Sequence, residues 1–409
     1  MTQTTAQLRN LAIEARAAND PNRAADAWRS LLDQMPDDWA LALELKHDLK
    51  AGLHYPDSDA RFRRAARNLP DAEWLAHYST LYAFHGSDLD AIDARALSLL
   101  ADAPLEPRLH AIRGDVARQR RDWATAATSF AEASRLLPDQ IHHRHRAALA
   151  RLYARLSQRP WPATGPHYKT YVVNLDRNAE RMVQLDRHFA HSPAPRQRIP
   201  GVEGARLPAA AVHRLTGDPA APRGTLGCFL SHAAAWEALV ASGDDCALII
   251  EDDVIPLLDL PRTLGGLPLP ASWDIVFIND RLEPRRDPDA EDGFTLHSLT
   301  SAIQAFHPDE NAPGGDGYLL SRHGAEALLA WTARDGFSDD VDWRMLTYSM
   351  DAEAIAGVPA ICHARRELDR LQVRIPRTAR LDAHVLNPSL IRSVGVSSDR
   401  EDENRKHPA

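Results

Sequence analysis

The chain has 409 residues, enough for two or more domains, and its 44% hydrophobic and 26% charged residues are typical of soluble globular protein. The formal net charge of −9 gives no electrostatic basis for nucleic-acid binding, and no uncharged apolar run approaches the roughly 18 residues that span a bilayer. The three cysteines lie far apart and residues 1–10 are polar. We therefore expect a cytoplasmic protein with no disulfide framework and no membrane span.

A 34-residue period organises the first 157 residues. Proline recurs at this interval, at Pro36, Pro70, Pro104 and Pro138. It ends a helix because it lacks an amide hydrogen and disfavours helix in the preceding residue. The pattern predicts two-helix units near 3–36, 37–70, 71–104 and 105–138, and a closing helix near 139–156. Three acids that follow prolines are predicted to cap the next helices: Asp37, Asp71 and Asp139.

The period resembles that of the tetratricopeptide repeat family. The resemblance implies an all-α solenoid whose groove binds a protein partner or an acceptor. The alternative is that the helices dimerise the chain or brace the second domain. Residues 158–166 are rich in proline and glycine and are predicted to be a linker, which bounds the repeat domain at 1–157.

An α/β domain is predicted at 167–396, followed by a disordered tail at 397–409. Strands are predicted at 168–175, 196–199, 247–250, 273–279 and 302–306. Helices are predicted at 176–191, 224–242, 322–333 and 339–349. Because strands and helices alternate, we expect a largely parallel sheet.

The run C-A-L-I-I-E-D-D-V at 246–254 is the central feature of this domain. Its apolar part has no alternation, which is typical of a strand buried on both faces. The carboxylates of Glu251, Asp252 and Asp253 then follow at the carboxyl edge of the sheet, where open α/β sheets bind ligands. Adjacent carboxylates repel each other, and a divalent metal holding a diphosphate would neutralise them. A solvated acidic turn is the alternative.

Several motifs in this order resemble glycosyltransferase family 25. They are V-V-N-L-D-R-N-A-E-R at 172–181, G-T-L-G-C-F-L-S-H at 224–232, L-I-I-E-D-D-V at 248–254, W-D-I-V at 273–276 and D-G-Y-L-L-S-R-H-G-A at 316–325. The family includes lipooligosaccharide and collagen galactosyltransferases. The resemblance covers about 168–345. It implies a GT-A-type, Rossmann-like fold, a UDP-sugar donor that is often UDP-galactose, usually Mn²⁺, and inversion at the anomeric carbon.

The metal site is predicted from an acid-x-acid pattern. Glu251 and Asp253 flank Asp252, and their hard oxygen atoms suit Mn²⁺ or Mg²⁺. His363 is a further candidate ligand, because a late histidine completes the metal shell in some enzymes of this fold.

The donor site is predicted at the strand ends. The candidate donor-binding residues are Asn174, Arg177, His232, Asp252 and Asp316. A planar guanidinium suits phosphate, and glycines beside Asp316 permit close approach of a sugar. For Arg177 the alternative is a surface arginine, and for His232 it is a buried histidine with satisfied hydrogen bonds.

The catalytic base is predicted in an acidic helix start. An inverting transfer needs a carboxylate to take the proton of the acceptor hydroxyl. Asp342 matches the aspartate of the P-x-D-like segment of the family and is the first candidate. Asp340, which stands where that segment has proline, is the second, and helix capping is the alternative for both.

Two competing functions follow from the same sequence. One is a repeat-based adaptor whose transferase domain no longer reacts. The other is an iron(II) dioxygenase whose facial triad would be His307, Asp309 and His363. The jelly-roll strand pattern that such an enzyme needs is missing from the sequence. The leading prediction remains a metal-dependent glycosyltransferase whose repeats recruit an acceptor or a partner.

Overall fold

The computed structural model describes residues 3–18, 20–51, 61, 64–65, 69–82, 89–161, 168–192, 195–282, 292–305, 313–375 and 380–393. Most of the predicted linker, the tail at 397–409, and His307 and Asp309 of the alternative triad lie outside these residues. Within them, no helix has the length and apolar character to cross a membrane.

The N-terminal region is helical. Its helices are α1 Thr5–Ala17, α2 Pro21–Gln34, α3 Trp39–Ala51, α4 Asp71–Tyr82, α5 Leu89–Asp102, α6 Pro107–Gln119, α7 Trp123–Leu136 and α8 Ile141–Gln158. Three of them end two residues before Pro36, Pro104 and Pro138, which confirms the helix ends predicted from proline. Neighbours in sequence pack on each other, as α1 does on α2 and α7 on α8. Membership of the tetratricopeptide family stays a prediction.

The predicted caps are wrong in this region. The chain makes a turn after Pro36, so Asp38 rather than Asp37 accepts a hydrogen bond from the Leu41 amide, at 3.2 Å. Asp71 is the first residue of its helix instead of its cap, and the helix after Asp139 has no side-chain cap. The prolines mark where helices stop, but not the residue at which the next helix starts.

The C-terminal region contains two sheets. The strands are β1 Lys169–Asn174, β2 Arg196–Pro200, β3 Cys246–Glu251, β4 Val254–Pro256, β5 Ile275–Phe277, β6 Thr295–Ser298, β7 Gly317–Ser321, β8 Ala383–Asn387 and β9 Ile391–Ser393. The seven-stranded sheet has the order β2-β1-β3-β7-β5-β8-β6, and β4 pairs with β9 separately. Helices surround them: α9 Ala179–His188, α10 Ala209–Thr216, α11 Arg223–Ser242, α12 Leu260–Leu264, α13 Leu299–Gln304, α14 Arg322–Asp335, α15 Val341–Ser349, α16 Ala352–Ala356 and α17 His363–Arg374.

The large sheet is mixed, and this corrects the expectation of a largely parallel one. β1 is parallel to β2 and β3, and β5 is parallel to β8. β7, however, lies antiparallel between β3 and β5, and β6 is antiparallel to β8. A short apolar strand buried on both faces has the same pattern in either direction, so the sequence does not indicate its polarity.

The strand predicted at 302–306 is also wrong. Leu299–Gln304 forms α13 instead. Ser298 caps this helix by accepting a hydrogen bond from the Ser301 amide at 3.2 Å, and a serine cap of this kind stabilises a helix start.

Both faces of the large sheet are buried, as predicted for β3. On one face, Tyr171, Ile249 and Phe277 pack with Phe229 and Trp236 of α11. Residues one position along each strand point to the opposite face and join a second apolar cluster. The absence of alternation in the strand sequences therefore has a direct structural cause.

That second cluster contains side chains from the last two N-terminal helices. Trp123, Leu152 and Leu156 pack in one continuous apolar core with Val172 and Leu248 of the sheet. The hydroxyl of Tyr153 donates to the carbonyl of Ser389 at 2.7 Å within this buried region. The end of the helical region is thus part of the core of the α/β region, as the bracing alternative requires. The boundary at 158–166 stays a prediction.

Candidate functional site

The topology brings four chain segments to one edge of the sheet. β1, β3 and β5 run in the same direction and end there, and the antiparallel β7 begins there. The register pairs Ile250 of β3 with Gly317 of β7 and Phe277 of β5 with Tyr318. The residues beyond these strand ends therefore meet, although they lie far apart in the sequence.

Three carboxylates cluster at this edge. Glu251 ends β3, Asp253 follows it, and the backbone carbonyl of Asp316 accepts a hydrogen bond from the Glu251 amide at 3.3 Å. Burial, with the carboxylates of Glu251, Asp252 and Asp316 adding to it, raises the pKa of Asp253 well above its ordinary value. In the part of the chain that the structure describes, the buried Oδ1 of Asp253 has no hydrogen-bond partner.

Asp316 is held by two side chains from beyond β5. Arg281 donates through Nε to Asp316 Oδ2 at 3.0 Å, and Asn279 donates through Nδ2 to Oδ1 at the same distance. Burial raises the pKa of Asp316 to about 6, although Arg281 opposes the shift. The Asn279 amide also donates to the Gly314 carbonyl at 2.8 Å, so this residue fixes the loop that carries Asp316.

Asp252 has different partners from its two neighbours. Arg181 of α9 donates to its Oδ1 at 3.2 Å, and Asn174 at the end of β1 donates to its Oδ2 at 2.7 Å. Burial raises the pKa of Asp252, and Arg181 opposes this most strongly. The acid triplet is thus divided: Asp252 points to β1 and α9, and Glu251 and Asp253 share the environment of Asp316.

The side-chain amide of Asn174 makes hydrogen bonds through both its nitrogen and its oxygen. Besides its bond to Asp252, its Nδ2 donates to the Asn178 carbonyl at 3.1 Å, and its Oδ1 accepts from Arg198 Nε at 2.7 Å. The side chain is almost completely buried. The geometry therefore gives Asn174 a positioning role toward Asp252.

Two glycines of the G-G-D-G run lie close against side chains of the site. A Cβ on Gly314 would lie 2.2 Å from Arg281 Cδ and 2.6 Å from Asp316 Oδ1. A Cβ on Gly315 would lie 3.1 Å from His232 Cε1 and 3.6 Å from Glu251 Oε1. Both glycines let the backbone approach the carboxylate cluster closely.

α11 is fixed beside this cluster by a loop that follows β2. Gly204 and Gly227 are in backbone contact, since a Cβ on Gly227 would lie 2.7 Å from the Gly204 nitrogen. The Val202 amide donates to Ser231 Oγ at 2.8 Å. These contacts place His232, the next residue of the helix, with its Nε2 3.2 Å from Glu251 Oε1.

The carboxylate oxygens at this edge are of the kind that a divalent cation would take as ligands. An orphaned buried carboxylate oxygen on Asp253 beside Glu251 is an arrangement that a hard cation would satisfy. The side-chain donors of Cys228, His232 and Glu251 also lie within 4.8 Å of one another. His363 begins α17, where its ring packs edge-on against Trp343 with centroids 5.7 Å apart, and no contact joins it to the carboxylate cluster in the described residues.

The two base candidates lie at the start of α15. Asp342 is buried, and its Oδ1 accepts a hydrogen bond from the Trp343 amide at 3.0 Å. Asp340 occupies the N-cap position without a side-chain capping bond. The guanidinium of Arg344 lies 5.7 Å from the ring centroid of Phe229, which ties this helix to α11 one turn before His232.

The structure brings together most of the predicted site. Glu251, Asp253, Asp316 and His232 form one group, and Asn174 joins it through Asp252. Arg177 pairs instead with Glu203 at 3.4 Å. His363 packs against Trp343 instead, and Asp340 and Asp342 lie at the start of α15. Sequence reasoning missed five site residues: Arg181, Asn279, Arg281, Trp236 and Tyr318.

The fold and the cluster define an α/β protein with a group of carboxylates at the carboxyl edge of its central strands. Residues 167–262 match the model of the family described as Glycosyltransferase family 25 (LPS biosynthesis protein). This stretch contains β1 to β4 and α11, and with them Asn174, His232 and the acid triplet. It identifies a glycosyltransferase family 25 domain in the chain.

Curated relatives match about two-fifths of the chain. A Glycosyltransferase 25 family member from Aedes aegypti is 28% identical over 180 residues, which cover 39% of this chain and 27% of that protein. Procollagen galactosyltransferase 1 from Danio rerio is 28% identical over 177 residues, 39% of this chain and 28% of that protein. Inactive glycosyltransferase 25 family member 3 from Mus musculus is 25% identical over 178 residues, 40% and 28% of the two chains. The chain thus spans little more than a quarter of the length of these relatives.

Proposed function

We propose that this protein is a glycosyltransferase that moves a sugar from a UDP-sugar to a glycan or protein acceptor, with inversion at the anomeric carbon. The observation that carries the proposal is the Asp253 carboxylate near Glu251 at the sheet edge, because its buried Oδ1 has no hydrogen-bond partner in the described residues. Galactose is the proposed sugar, because two relatives carry the name procollagen galactosyltransferase.

The proposed cofactor is Mn²⁺ or Mg²⁺, held by Glu251 and Asp253. Such a cation would offset the negative charge that develops on the leaving UDP. His363 remains a proposed further ligand. Arg181 and Arg281 support the site from either side, because each binds one of the neighbouring carboxylates and limits the repulsion within the cluster.

The remaining steps are assigned to side chains around this cluster. Arg177 is proposed to bind the diphosphate of the donor, in exchange for its ion pair with Glu203. Asp316 is proposed to bind a hydroxyl of the sugar. Asp342 is proposed as the base that removes the proton of the acceptor hydroxyl, with Asp340 as the second candidate.

UDP release from UDP-galactose tests the proposal. We expect release to require Mn²⁺ and to stop in EDTA, and Asp253→Asn to remove the Mn²⁺-dependent turnover without loss of folded structure. Mn²⁺ should also raise the melting temperature of the wild type, since a ligand that binds only the folded state stabilises it. Asp244→Asn is the matched control, because Asp244 lies just before β3, at the opposite end of the strand. Undiminished release in EDTA would refute the metal assignment.

The second candidate function is a non-catalytic adaptor with a degenerate transferase domain. It is favoured by the similarity to a relative that is named inactive. An adaptor should bind UDP-sugars weakly or not at all and release no UDP with any donor, with or without Mn²⁺. The same assay therefore separates the two functions.

The helical region is proposed to recruit the acceptor or a protein partner. It carries exposed apolar side chains, among them Ile13 and Leu97, which are about half exposed. Changing both residues to serine should raise the KM for a native acceptor and leave the KM for the UDP-sugar unchanged. An unchanged acceptor KM would count against recruitment through this surface. The acceptor itself is to be sought by transfer of labelled sugar in cell extracts.

A further inference from the structure

A chain of buried hydrogen bonds runs from the interior of α11 to Glu251. Trp236 donates through Nε1 to the hydroxyl oxygen of Tyr318 at 2.9 Å. This hydroxyl lies 2.9 Å from His232 Nδ1, and His232 Nε2 lies 3.2 Å from Glu251 Oε1. Trp236, Tyr318 and His232 are completely buried, whereas the Glu251 side chain is about one-third exposed.

The chemistry of these groups fixes where the protons lie. An indole nitrogen can only donate, so the Tyr318 oxygen accepts from Trp236. The other neighbour of the Tyr318 hydroxyl in the described residues is His232 Nδ1, and a buried hydroxyl proton without an acceptor is costly. Tyr318 therefore donates to Nδ1. His232 is then a neutral imidazole with its proton on Nε2, and this proton is directed at Glu251.

The surrounding backbone holds this chain of groups in place. In the antiparallel pairing of β3 with β7, Tyr318 lies opposite Ile249, two residues before Glu251. Gly315 leaves room for the imidazole, because a Cβ there would lie 3.2 Å from His232 Nε2. The rings of His232 and Tyr318 are stacked with centroids 5.9 Å apart. The imidazole is thus confined between β7 and the loop that precedes it.

We propose that Trp236, Tyr318 and His232 form a positioning relay that holds His232 in its Nε2–H form and orients the carboxylate of Glu251. The relay rests on the proposed function, in which Glu251 is a metal ligand. A nitrogen that carries a proton cannot coordinate a cation, so His232 supports the metal site through Glu251 and is not itself a ligand. The proximity of Cys228, His232 and Glu251 therefore does not define a separate metal site.

The tautomer of His232 is measured directly by NMR. Two-bond ¹H–¹⁵N correlations in ¹⁵N-histidine-labelled protein distinguish the two neutral forms, and the His232 signals are assigned by their loss in His232→Asn. We expect the Nε2–H form in the wild type at pH 7.5, and its replacement by averaged shifts in Tyr318→Phe. Finding wild-type His232 as the Nδ1–H form or as the imidazolium would overturn the relay. This readout does not depend on enzymatic activity.

Mn²⁺ affinity tests the positioning role. The EPR signal of free Mn²⁺ gives the dissociation constant, and Tyr318→Phe should weaken binding by about 10- to 100-fold, as loss of groups that orient a ligand does. Tyr171→Phe is the control, because it removes an equally buried hydroxyl that donates to the Ala238 carbonyl at 3.1 Å. Equal affinities of Tyr318→Phe and the control would overturn the positioning role.

A further measurement separates the relay from the metal proposal. Mg²⁺, which is diamagnetic, should leave the His232 Nε2 proton in place in the wild type. Loss of that proton on adding Mg²⁺ would make His232 a ligand and overturn the relay. If the wild type binds no Mn²⁺, the proposed metal site fails, and the tautomer spectrum still decides whether the relay exists.

Discussion

Arg281 and Asp316 form an ion pair with Nε and Oδ2 3.0 Å apart, and it joins the segment after β5 to the segment before β7. The carboxylate is almost fully buried, while the guanidinium is about one-third exposed. The negative charge of Glu251 raises the pKa of Asp316. The charge of Asp316 in turn raises the pKa of Asp253. Arg281 therefore offsets part of the repulsion among the three carboxylates that share this edge of the sheet.

We expect Arg281→Met to destabilise the protein by roughly 2–3 kcal/mol, somewhat below the cost of breaking a fully buried pair because the guanidinium reaches solvent. Urea unfolding at pH 7.5 measures this free energy. The double variant Arg281→Met/Asp316→Asn should recover most of the loss, because it removes the uncompensated charge. Additive effects of the two changes would show that the pair is not coupled.

Asp342→Asn is expected to lower turnover by about a hundredfold or more while UDP-sugar binding stays near the wild-type value. The asparagine keeps an acceptor for the Trp343 amide, so the start of α15 should remain intact. Single-turnover kinetics and a separate binding titration check the two parts. Asp340→Asn is the comparison, and a larger loss in that variant would transfer the role of base to Asp340.

The exposed His323 should give a small pH-dependent contribution to stability. Its Nδ1 lies 2.6 Å from Asp274 Oδ1, and this hydrogen bond raises the pKa of His323. A raised pKa means that the folded state favours the protonated form. The contribution is therefore complete below pH 6.5 and disappears as the pH rises through the raised pKa.

Comparing His323→Gln with the wild type tests this sign. The wild type should have the higher urea midpoint at pH 6, and the two midpoints should converge at pH 9. An NMR titration of the His323 ring gives the pKa itself. A constant difference between the two proteins from pH 6 to pH 9 would contradict the assignment.

Leu156→Ala should weaken the α/β region, although Leu156 lies in the last N-terminal helix. Removing a fully buried leucine side chain costs about 2–5 kcal/mol, and this one packs in the same apolar cluster as Val172 of β1. Hydrogen exchange of the β1 amides should become faster. Leu31→Ala is the control, since Leu31 is equally buried in a separate cluster of the helical region. If the β1 amides exchanged as slowly in Leu156→Ala as in the wild type, the two regions would unfold independently.

The elements with strong patterns were predictable. β1, β3 and α11 combine apolar content with clear ends. The predicted ends of all three lie within one residue of the ends in the structure. β8 and β9 were missed because they are short and follow an arginine-rich segment. Their place is set by tertiary pairing: β8 lies beside β5, and β9 lies beside β4. Local sequence carries little information about such pairings.

The site was predictable where the residues sit in a contiguous motif. The acids of 251–253 and His232 were found in this way. Arg281 and Tyr318 were missed because their contacts depend on the antiparallel insertion of β7, which the sequence does not indicate. One signal was available for Asn279 and Arg281, namely the abrupt change from an apolar strand to polar residues at 279–281. The same change from apolar to polar residues occurs where the strand at 247–250 is followed by Glu251.

The hydrogen bond between Tyr153 and Ser389 connects the helical region with the acid triplet by a short path. Ser389 lies two residues before β9, β9 pairs with β4, and β4 begins directly after Asp253. If a ligand on the helical region favoured one position of α8 and this displaced the path, it would also change the free energy of binding of the proposed UDP-sugar. Reciprocity then requires that the UDP-sugar change the affinity for that ligand by the same factor. Acceptor recruitment and donor loading would in that case be thermodynamically linked events on one molecule.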